Sequence, residues 1–274
     1  MARTGPSATG RSRRTSRAVA LSVAGSDPCG AAGFQLDLRV FAALGVYASA
    51  IPACLTVQDT ARVWRVEPVA SDLVAAQLDA ALQDLRPRVV KVGLLGSAAV
   101  AEAVAGRLAS EEALALVLDP VADATSGDRL ADGETLAEVA RSLLPIATLV
   151  TPNLAEAARL VGGSVTTLAE MRRAARALCA AGASAALVKG GHLPGPPTDV
   201  LALESGELVE IEGERVEGPP VRGTGCALSA AIAAGLARGA GLLDAVRSAK
   251  AWLREEIRRA TRIGRGPAVL LAGG

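Results

Sequence analysis

Short β-type runs alternate with longer amphipathic helices along almost the whole of this 274-residue chain, and no other feature limits its fold as strongly. Ala18–Ala24 reads as a strand. A helix over Ala31–Leu44 follows, with Phe34, Leu38, Phe41 and Leu44 at helical spacing and a stop at Gly45. Val46–Val57 returns to strand and Ser71–Leu85 to helix, with Leu73, Ala76, Leu78 and Leu82 on broadly one side. Val89–Leu94 and Leu114–Leu118 read as short buried strands around an alanine-rich helix near 97–110. Leu149–Thr151 is a strand followed by a helix, and Ala185–Lys189 is another strand. Val200–Leu203 and Leu208–Ile211 flank Ser205-Gly206 as a hairpin. Gly225–Arg238 and Leu242–Arg259 form two closing helices. Alternation of this kind covers a mostly parallel sheet on both faces, so the predicted fold is a three-layer α/β/α sandwich.

Composition narrows the function. Hydrophobic residues make up 50% and charged residues 21%, and no apolar run is long enough to span a bilayer. Residues 1–17 hold Arg3, Arg11, Arg13, Arg14 and Arg17 without an acid, so the formal net charge of +1 hides a mildly acidic body. Neither a nucleic-acid partner nor a membrane is expected. The tail, 1–17, reads as disordered, and 18–274 as a single domain. Ser12-Arg13-Arg14 before Ala18–Ala24 is similar to a twin-arginine export signal. The apolar stretch is short, however, and runs straight into Gly25-Ser26-Asp27-Pro28. Cys29, Cys54, Cys179 and Cys226 are scattered without metal-site spacing, which fits reduced thiols and a cytoplasmic protein. His192 is the only histidine, leaving little material for a histidine-based triad.

Polar and glycine residues gather at the predicted C-terminal strand ends: Gly25-Ser26-Asp27, Gln58-Asp59, Asp119, Asn153 with Glu156, and Lys189-Gly190-Gly191. That edge of a doubly wound sheet is where ligands bind. Taken singly, each is also readable as a turn, a helix cap or a solvated loop. Lys189 is one of three lysines, with Lys91 and Lys250, in a chain that otherwise takes its positive charge from arginine. A compact ammonium at a strand end suits a phosphate. Asn153 and Glu156 share a helix face, and carboxylates such as Glu156 and Asp119 suit Mg²⁺. Arg222-Gly223-Thr224-Gly225-Cys226 opens a helix. Its glycines either let that helix start close to the sheet or turn backbone N–H groups toward an anion, with the helix dipole favouring a Cys226 thiolate. Neither a G-x-x-x-x-G-K-[ST] loop nor a G-x-G-x-x-G after the first strand is present.

These residues form a recognisable series. Ala24-Gly25-Ser26-Asp27-Pro28 stands with Gly33-Phe34-Gln35-Leu36-Asp37, then Gln58-Asp59-Thr60, Lys91-Val92-Gly93, Leu118-Asp119-Pro120-Val121 and Ser126-Gly127-Asp128. Thr151-Pro152-Asn153-Leu154 with Glu156, Lys189-Gly190-Gly191-His192 and Gly223-Thr224-Gly225-Cys226 complete it. In this order and spacing the chain, from about Val19 to Pro267, resembles the ribokinase-like superfamily. Within it, the chain resembles the hydroxymethylpyrimidine/phosphomethylpyrimidine kinases of thiamin biosynthesis.

The resemblance implies a ribokinase-like fold, ATP and Mg²⁺ as cofactors, a small pyrimidine substrate and a homodimer. It implies phosphorylation of 4-amino-5-hydroxymethyl-2-methylpyrimidine and then of its monophosphate. Cys226 would be the catalytic base, and Gly223, Thr224 and Gly225 the anion hole. Gln58, Gly25, Ala32, Asp37, Leu94 and Val121 would hold the pyrimidine. Lys189, Asn153, Glu156 and Asp119 would face the nucleotide, with Asp119 and Glu156 toward the metal. The family's usual histidine, methionine, lysine and asparagine are replaced here by Arg222, Ala122, Thr125 and Asp59, and Leu94 stands where methionine is frequent. Arg222 is expected to bring a permanent charge near the phosphates in place of the cation missing at Thr125. A pyridoxal-type kinase, a monophosphate-only kinase and a pyrimidine-binding regulator without catalysis are the alternatives. The joint presence of Asp119, Glu156, Lys189 and Cys226 argues against the last.

Overall fold

The computed structural model describes residues 17–111, 113–124, 127–128 and 130–273. The basic tail, apart from Arg17, lies outside them, as do Thr125 and Ser126. In chain order the elements are β1 (Val19–Ser26), α1 (Gly33–Ala43), β2 (Tyr47–Gln58), β3 (Val63–Pro68), α2 (Ser71–Leu85), β4 (Val89–Val92) and α3 (Ala98–Leu108). Next come β5 (Ala115–Leu118), α4 (Gly133–Glu138), β6 (Leu149–Val150), α5 (Leu154–Val161), α6 (Leu168–Ala180) and β7 (Ala185–Val188). The chain closes with β8 (Asp199–Leu203), β9 (Leu208–Ile211), β10 (Val221–Arg222), α7 (Thr224–Ala237), α8 (Leu242–Arg258) and β11 (Ala268–Val269).

Nine strands form one sheet in the order β3-β2-β1-β4-β5-β6-β7-β8-β9. The block from β2 to β7 is parallel, whereas β3 at one edge and β8 and β9 at the other pair antiparallel. Parallel strands covered on both sides carry apolar residues on both faces, and the side-chain alternation sorts them into two cores. Leu21, Val23, Val90, Val92, Leu116 and Leu118 face a layer containing α2, α3, α5 and α6. Ala20, Val89, Val117, Leu149 and Leu187 face α1, α7 and α8 on the other side. The expected sandwich is present.

Two helical stripes differ from their sequence reading. In α1 the buried face is Leu36, Asp37, Val40 and Phe41, and in α2 it is Val74, Ala75 and Leu78, while Leu73 is exposed. The pattern misleads at Asp37 because a buried aspartate is invisible to a count of apolar residues. β3, α4 and the β10–β11 pair were not foreseen. β3 is a largely exposed edge strand bearing Arg65 and Glu67, charges that blunt a free sheet edge, so it lacks an apolar run. α6 was not foreseen as a separate helix, although Thr167 and Glu170 form a capping box at its start.

α7 is apolar on every side, with ten of its residues buried. A helix of that kind belongs inside a protein, and small side chains let it lie close to its neighbours. Gly235 is one example: a Cβ there would lie 3.0 Å from the Cβ of Ala245 in α8. Deep burial leaves the first turn of α7 as the place where its unpaired N–H groups open, beside the C-terminal ends of the parallel strands. Among the described residues no helix is long and apolar enough to cross a membrane.

Candidate active site

The parallel strands deliver their C-terminal ends to one edge, where a cavity of about 1180 Å³ opens. Its floor starts at the loop after β1. Asp27 is buried and its carboxylate accepts the N–H groups of Cys29 at 2.8 Å and Ala31 at 3.1 Å, which fixes the loop. Gly33 then begins α1 at φ +60°, and a Cβ there would lie 2.3 Å from the carbonyl oxygen of Gly25. Gly223 does the same from the opposite side. It caps α7 at φ +82°, and a Cβ would lie 2.0 Å from the carbonyl oxygen of Ala31. Gly33 thus seats the start of α1 against the end of β1, and Gly223 seats the start of α7 against the segment before α1.

The first hydrogen bond within α7 joins the Ala227 N–H to Gly223, so helix geometry leaves Thr224, Gly225 and Cys226 without intrahelical acceptors. These N–H groups and the helix dipole make an anion-binding end. A Cβ on Gly225 would lie 3.3 Å from Lys189 Nζ, which places the ammonium beside that end. Lys189 follows β7, and its N–H donates to Pro152 at 2.9 Å while the residue bridges to Asn153. Its Nζ donates to Asp119 Oδ1 at 3.1 Å and stands 4.0 Å from Glu156 Oε2. The second Asp119 oxygen accepts from Ser229 Oγ at 3.1 Å, and Thr151 Oγ1 donates to the first at 3.3 Å. Asn153 and Glu156 form a capping box on α5, with reciprocal bonds of 2.9 and 2.7 Å.

Electrostatics follows from this packing. Burial opposes the charge on Lys189, but Asp119 and Glu156 outweigh it and raise its pKa. Burial likewise disfavours the Asp119 carboxylate, yet Lys189 and Lys91 hold it below the usual range. Glu156 is pushed up to about 7 by burial, against the pull of Lys189.

Cys226 departs from expectation. Burial pushes its thiol up to about 11, and Asp119 and Asp37 add to the shift. Lys91 and the Gly33 N–H pull the other way without overcoming it. Desolvation outweighs these attractions in the free site, and the group there is a neutral thiol.

Two further expectations are corrected. Asp37 does not reach the cavity. It lies on the sheet-facing side of α1, fully buried, where Lys91 Nζ donates to its two oxygens at 2.8 and 3.1 Å and Ser22 Oγ donates at 2.6 Å. Lys91, projecting from β4 into the same layer, is the member of that pair that lines the cavity. Burial works against its ammonium, and Asp37 more than compensates, raising its pKa. Arg222 does not stand among the phosphate-side residues either. Its Nη1 reaches the carbonyl oxygens of Asp59 at 3.3 Å and Thr60 at 3.4 Å, and its Nη2 donates to Gln58 Oε1.

The remaining predicted residues all line the cavity: Gly25, Ala32, Gln58, Leu94 and Val121, together with Asp119, Asn153, Glu156, Lys189, Gly223, Thr224, Gly225 and Cys226. The segment 222–225 links its two ends, since Arg222 touches Gln58 and Gly225 adjoins Lys189. Sequence reasoning missed Ser229 and Thr151 as supports of Asp119. Ser229 was findable, because it follows Cys226 by three helical positions and is a buried polar group on an apolar helix. The far wall, from Glu210 to Val216 and from Arg247 to Ile257, gave no motif signal. Lys250 braces it, donating to Asp199 Oδ2 and the Ile211 carbonyl at 2.7 Å and to the Pro197 carbonyl at 2.6 Å.

Comparison with known proteins agrees with this geometry. The family model described as phosphomethylpyrimidine kinase matches residues 27–270. The hydroxymethylpyrimidine/phosphomethylpyrimidine kinase of Rhizobium meliloti is 46% identical over 255 residues, covering 91% of this chain and 96% of its own. The Escherichia coli protein of the same name is 41% identical over 246 residues, covering 89% and 92%. Among solved structures, the phosphomethylpyrimidine kinase of Clostridium difficile superposes with a TM-score of 0.78 at 32% identity, covering 88% of this chain and 100% of its own. The Staphylococcus aureus pyridoxal kinase in complex with AMP-PCP and pyridoxal gives a TM-score of 0.85 at 28% identity, covering 94% of each. With its fold, its cavity-lining motifs and these matches in agreement, the chain belongs to the phosphomethylpyrimidine kinase family.

Proposed function

We propose that this kinase transfers the γ-phosphoryl group of ATP to the hydroxyl of 4-amino-5-hydroxymethyl-2-methylpyrimidine, and then a second phosphoryl group to the resulting monophosphate, in thiamin biosynthesis. One observation carries the reading. A single helix start spans the cavity, from Gln58 at its Arg222 end to Lys189 at its Gly225 end. The ring is held by Gln58, Gly25, Ala32, Leu94 and Val121. Polyphosphate lies toward Lys189, with Asn153, Glu156 and Asp119 around it. Little covalent chemistry is asked of the protein in phosphoryl transfer, so positioning and charge stabilisation dominate. The N–H groups of Thr224, Gly225 and Cys226 receive the charge that develops on the transferring group. Cys226 accepts the hydroxyl proton as the bond to phosphorus forms, and Lys91 and the Gly33 N–H stabilise the thiolate that accepts it.

Magnesium fits the donors present. Asp119 and Glu156 are two buried carboxylates on the phosphate side, and Mg²⁺ uses one or two carboxylates while keeping several waters. Among the described residues no cluster of three or more His, Cys, Asp or Glu could form an all-protein cage. When bound, the ion supplies charge neutralisation on the ATP phosphates. A homodimer is supported by the exposed Tyr47, Leu55, Val57 and Trp64 on β2 and β3, and a cytoplasmic location by four free thiols.

The test is ADP release with ATP and Mg²⁺ in the presence of the pyrimidine alcohol, its monophosphate or pyridoxal. Turnover of both pyrimidines at rates well above pyridoxal is expected. Turnover of pyridoxal alone would replace this reading with the pyridoxal one that the solved-structure similarity raises. Turnover of the monophosphate alone would limit the enzyme to the second step.

A further inference from the structure

We infer that Arg222 is a positioning residue for ring recognition, fixing the Gln58 amide so that its N–H₂ end faces the bound heterocycle. This rests on the reading of Gln58 as the ring contact. A glutamine amide has an accepting and a donating end, nearly equal in shape, and an isolated one flips between two orientations. Guanidinium has donors only and cannot be deprotonated in a protein. Wherever it meets an amide, it selects the oxygen.

Arg222 is buried, at 4% exposure, and its Nη2 donates to Gln58 Oε1. Its Nη1 holds the carbonyls of Asp59 and Thr60, so one planar fork anchors the side chain of Gln58 and the turn that follows. The turn is clamped from its other side as well. The Gly266 N–H donates to Thr60 Oγ1 at 3.1 Å, and Arg265 Nη2 pairs with Asp59 Oδ2 at 3.0 Å. A Cβ at Gly266 would lie 1.9 Å from the Thr60 carbonyl oxygen, so that contact leaves the turn no room to slide.

With both the turn and Oε1 held, Gln58 offers the cavity its two Nε2 donors and one remaining lone pair on Oε1. A ring nitrogen acceptor beside an exocyclic amine matches that pattern in only one register. Recognition is thus set by the orientation of the amide, and Arg222 acts on the ring through Gln58. Both polar ends of the ring edge are read without an amide flip on binding.

The test is a double-mutant cycle with the full-length enzyme, ATP and 4-amino-5-hydroxymethyl-2-methylpyrimidine. Arg222→Met should raise KM for the pyrimidine about tenfold, the scale of one buried hydrogen bond, while the KM for ATP stays the same and kcat changes by less than about threefold. In a Gln58→Ala background the same substitution should add little. Gln58→Glu keeps a partner for Arg222 but loses the N–H₂ donors, so it should fold and still show the raised pyrimidine KM. A full additive effect of Arg222→Met on Gln58→Ala, or an unchanged KM in Arg222→Met, would overturn the inference. An unchanged pyrimidine KM in Gln58→Ala would instead remove the ring-contact reading beneath it. Should Arg222→Met fail to fold, Arg222→Lys carries the cycle, because lysine keeps the charge but lacks the planar fork that sets the Gln58 contact against the two carbonyls; a smaller shift, again lost on Gln58→Ala, is then expected.

Discussion

Gly223 and Gly225 are two residues apart at the same helix start, yet alanine should damage them in opposite ways. At Gly223 the backbone is left-handed, φ +82°, which costs an alanine about 1–2 kcal/mol. Its Cβ would also sit 2.0 Å from the Ala31 carbonyl oxygen, about 1 Å inside the 3.0 Å limit of real Cβ contacts, and 2.8 Å from Leu36 Cδ2. The nearest obstacle is backbone, so no rotamer relieves it, and overpacking adds ~1–3 kcal/mol. The sum, about 2–5 kcal/mol, should lower the melting temperature on the order of 10 °C for a chain of this size. Gly225 has no strained φ, and its nearest obstacle is the flexible Lys189 Nζ at 3.3 Å. Alanine there should leave the melting temperature unchanged or slightly raised, since it gains ~0.5–1 kcal/mol over glycine inside a helix. Its methyl group would instead occupy the space between the ammonium and the free N–H groups, lowering kcat/KM by about 10–100-fold, somewhat less than complete loss of an oxyanion donor. Thermal melts by circular dichroism and ADP release separate the two. A Gly223→Ala protein melting within about 2 °C of the parent would refute the contact argument. Undiminished kcat/KM in Gly225→Ala would refute the placement of the phosphoryl group.

Other substitutions probe the ionisable groups. Cys226→Ala should lower kcat by on the order of 10² or more without loss of stability. Because a base must be unprotonated to accept a proton, and the thiol sits at about 11, wild-type kcat should rise with pH by up to about tenfold per unit between pH 7 and 9. Cys226→Asp, ionised throughout that range, should flatten the profile; a flat wild-type profile would end the role for the thiol. Lys91→Met strands the Asp37 carboxylate in the core and should cost about 3–5 kcal/mol in urea unfolding. Adding Asp37→Leu should recover most of it, and failure to recover would show that the pair is not the cause. Lys250→Met removes three hydrogen bonds that tie α8 to β8, to β9 and to Pro197 just before β8, so about 2–4 kcal/mol should be lost, with a raised KM for ATP. An unchanged urea midpoint would show that the brace contributes nothing.

How far the sequence could be read depended on whether a residue announces its environment locally. The parallel strands did so, because runs such as Ala115–Leu118 and Ala185–Val188 are apolar on both faces and short. Asn153 and Glu156 did so through the capping spacing, and Gly223 through its place before an apolar helix. Asp37 did not. Its partner Lys91 is 54 residues away, and only the packing of α1 over β4 tells a buried counterion from a pocket wall. Arg222 misled for the same reason, since its nearest sequence neighbours open α7 while its hydrogen bonds run 162–164 residues back to the turn after β2. For Cys226 the sequence revealed the helix dipole but not the burial, and burial is the larger influence on the thiol.

The charge balance of the cavity sets the glycine-opened helix apart from its lysines. Lys91 is paired with Asp37 and Lys189 with Asp119, so each ammonium meets a carboxylate before any ligand arrives. Such pairing offsets the desolvation penalty of the buried ammonium groups, but it also cancels most of the field a polyanion would feel. Arg222 keeps its charge at the Gln58 end, but beside Lys189 what remains is dipolar. A helix N-terminus carries roughly half a positive charge, and α7 and α1 bring two of them together at Gly223 and Gly33. Because α7 is buried along its length, that dipole is poorly screened by water or salt. It is also fixed in place, so it need not reorganise as charge moves onto the transferring group. Lysines that can be paired, and N–H groups that cannot, divide the work: the first hold the site together when empty, and the second keep their full strength for the anion. The most apolar helix among the described residues therefore begins with free N–H groups at the cavity, and the left-handed glycine at that junction makes the arrangement sterically possible.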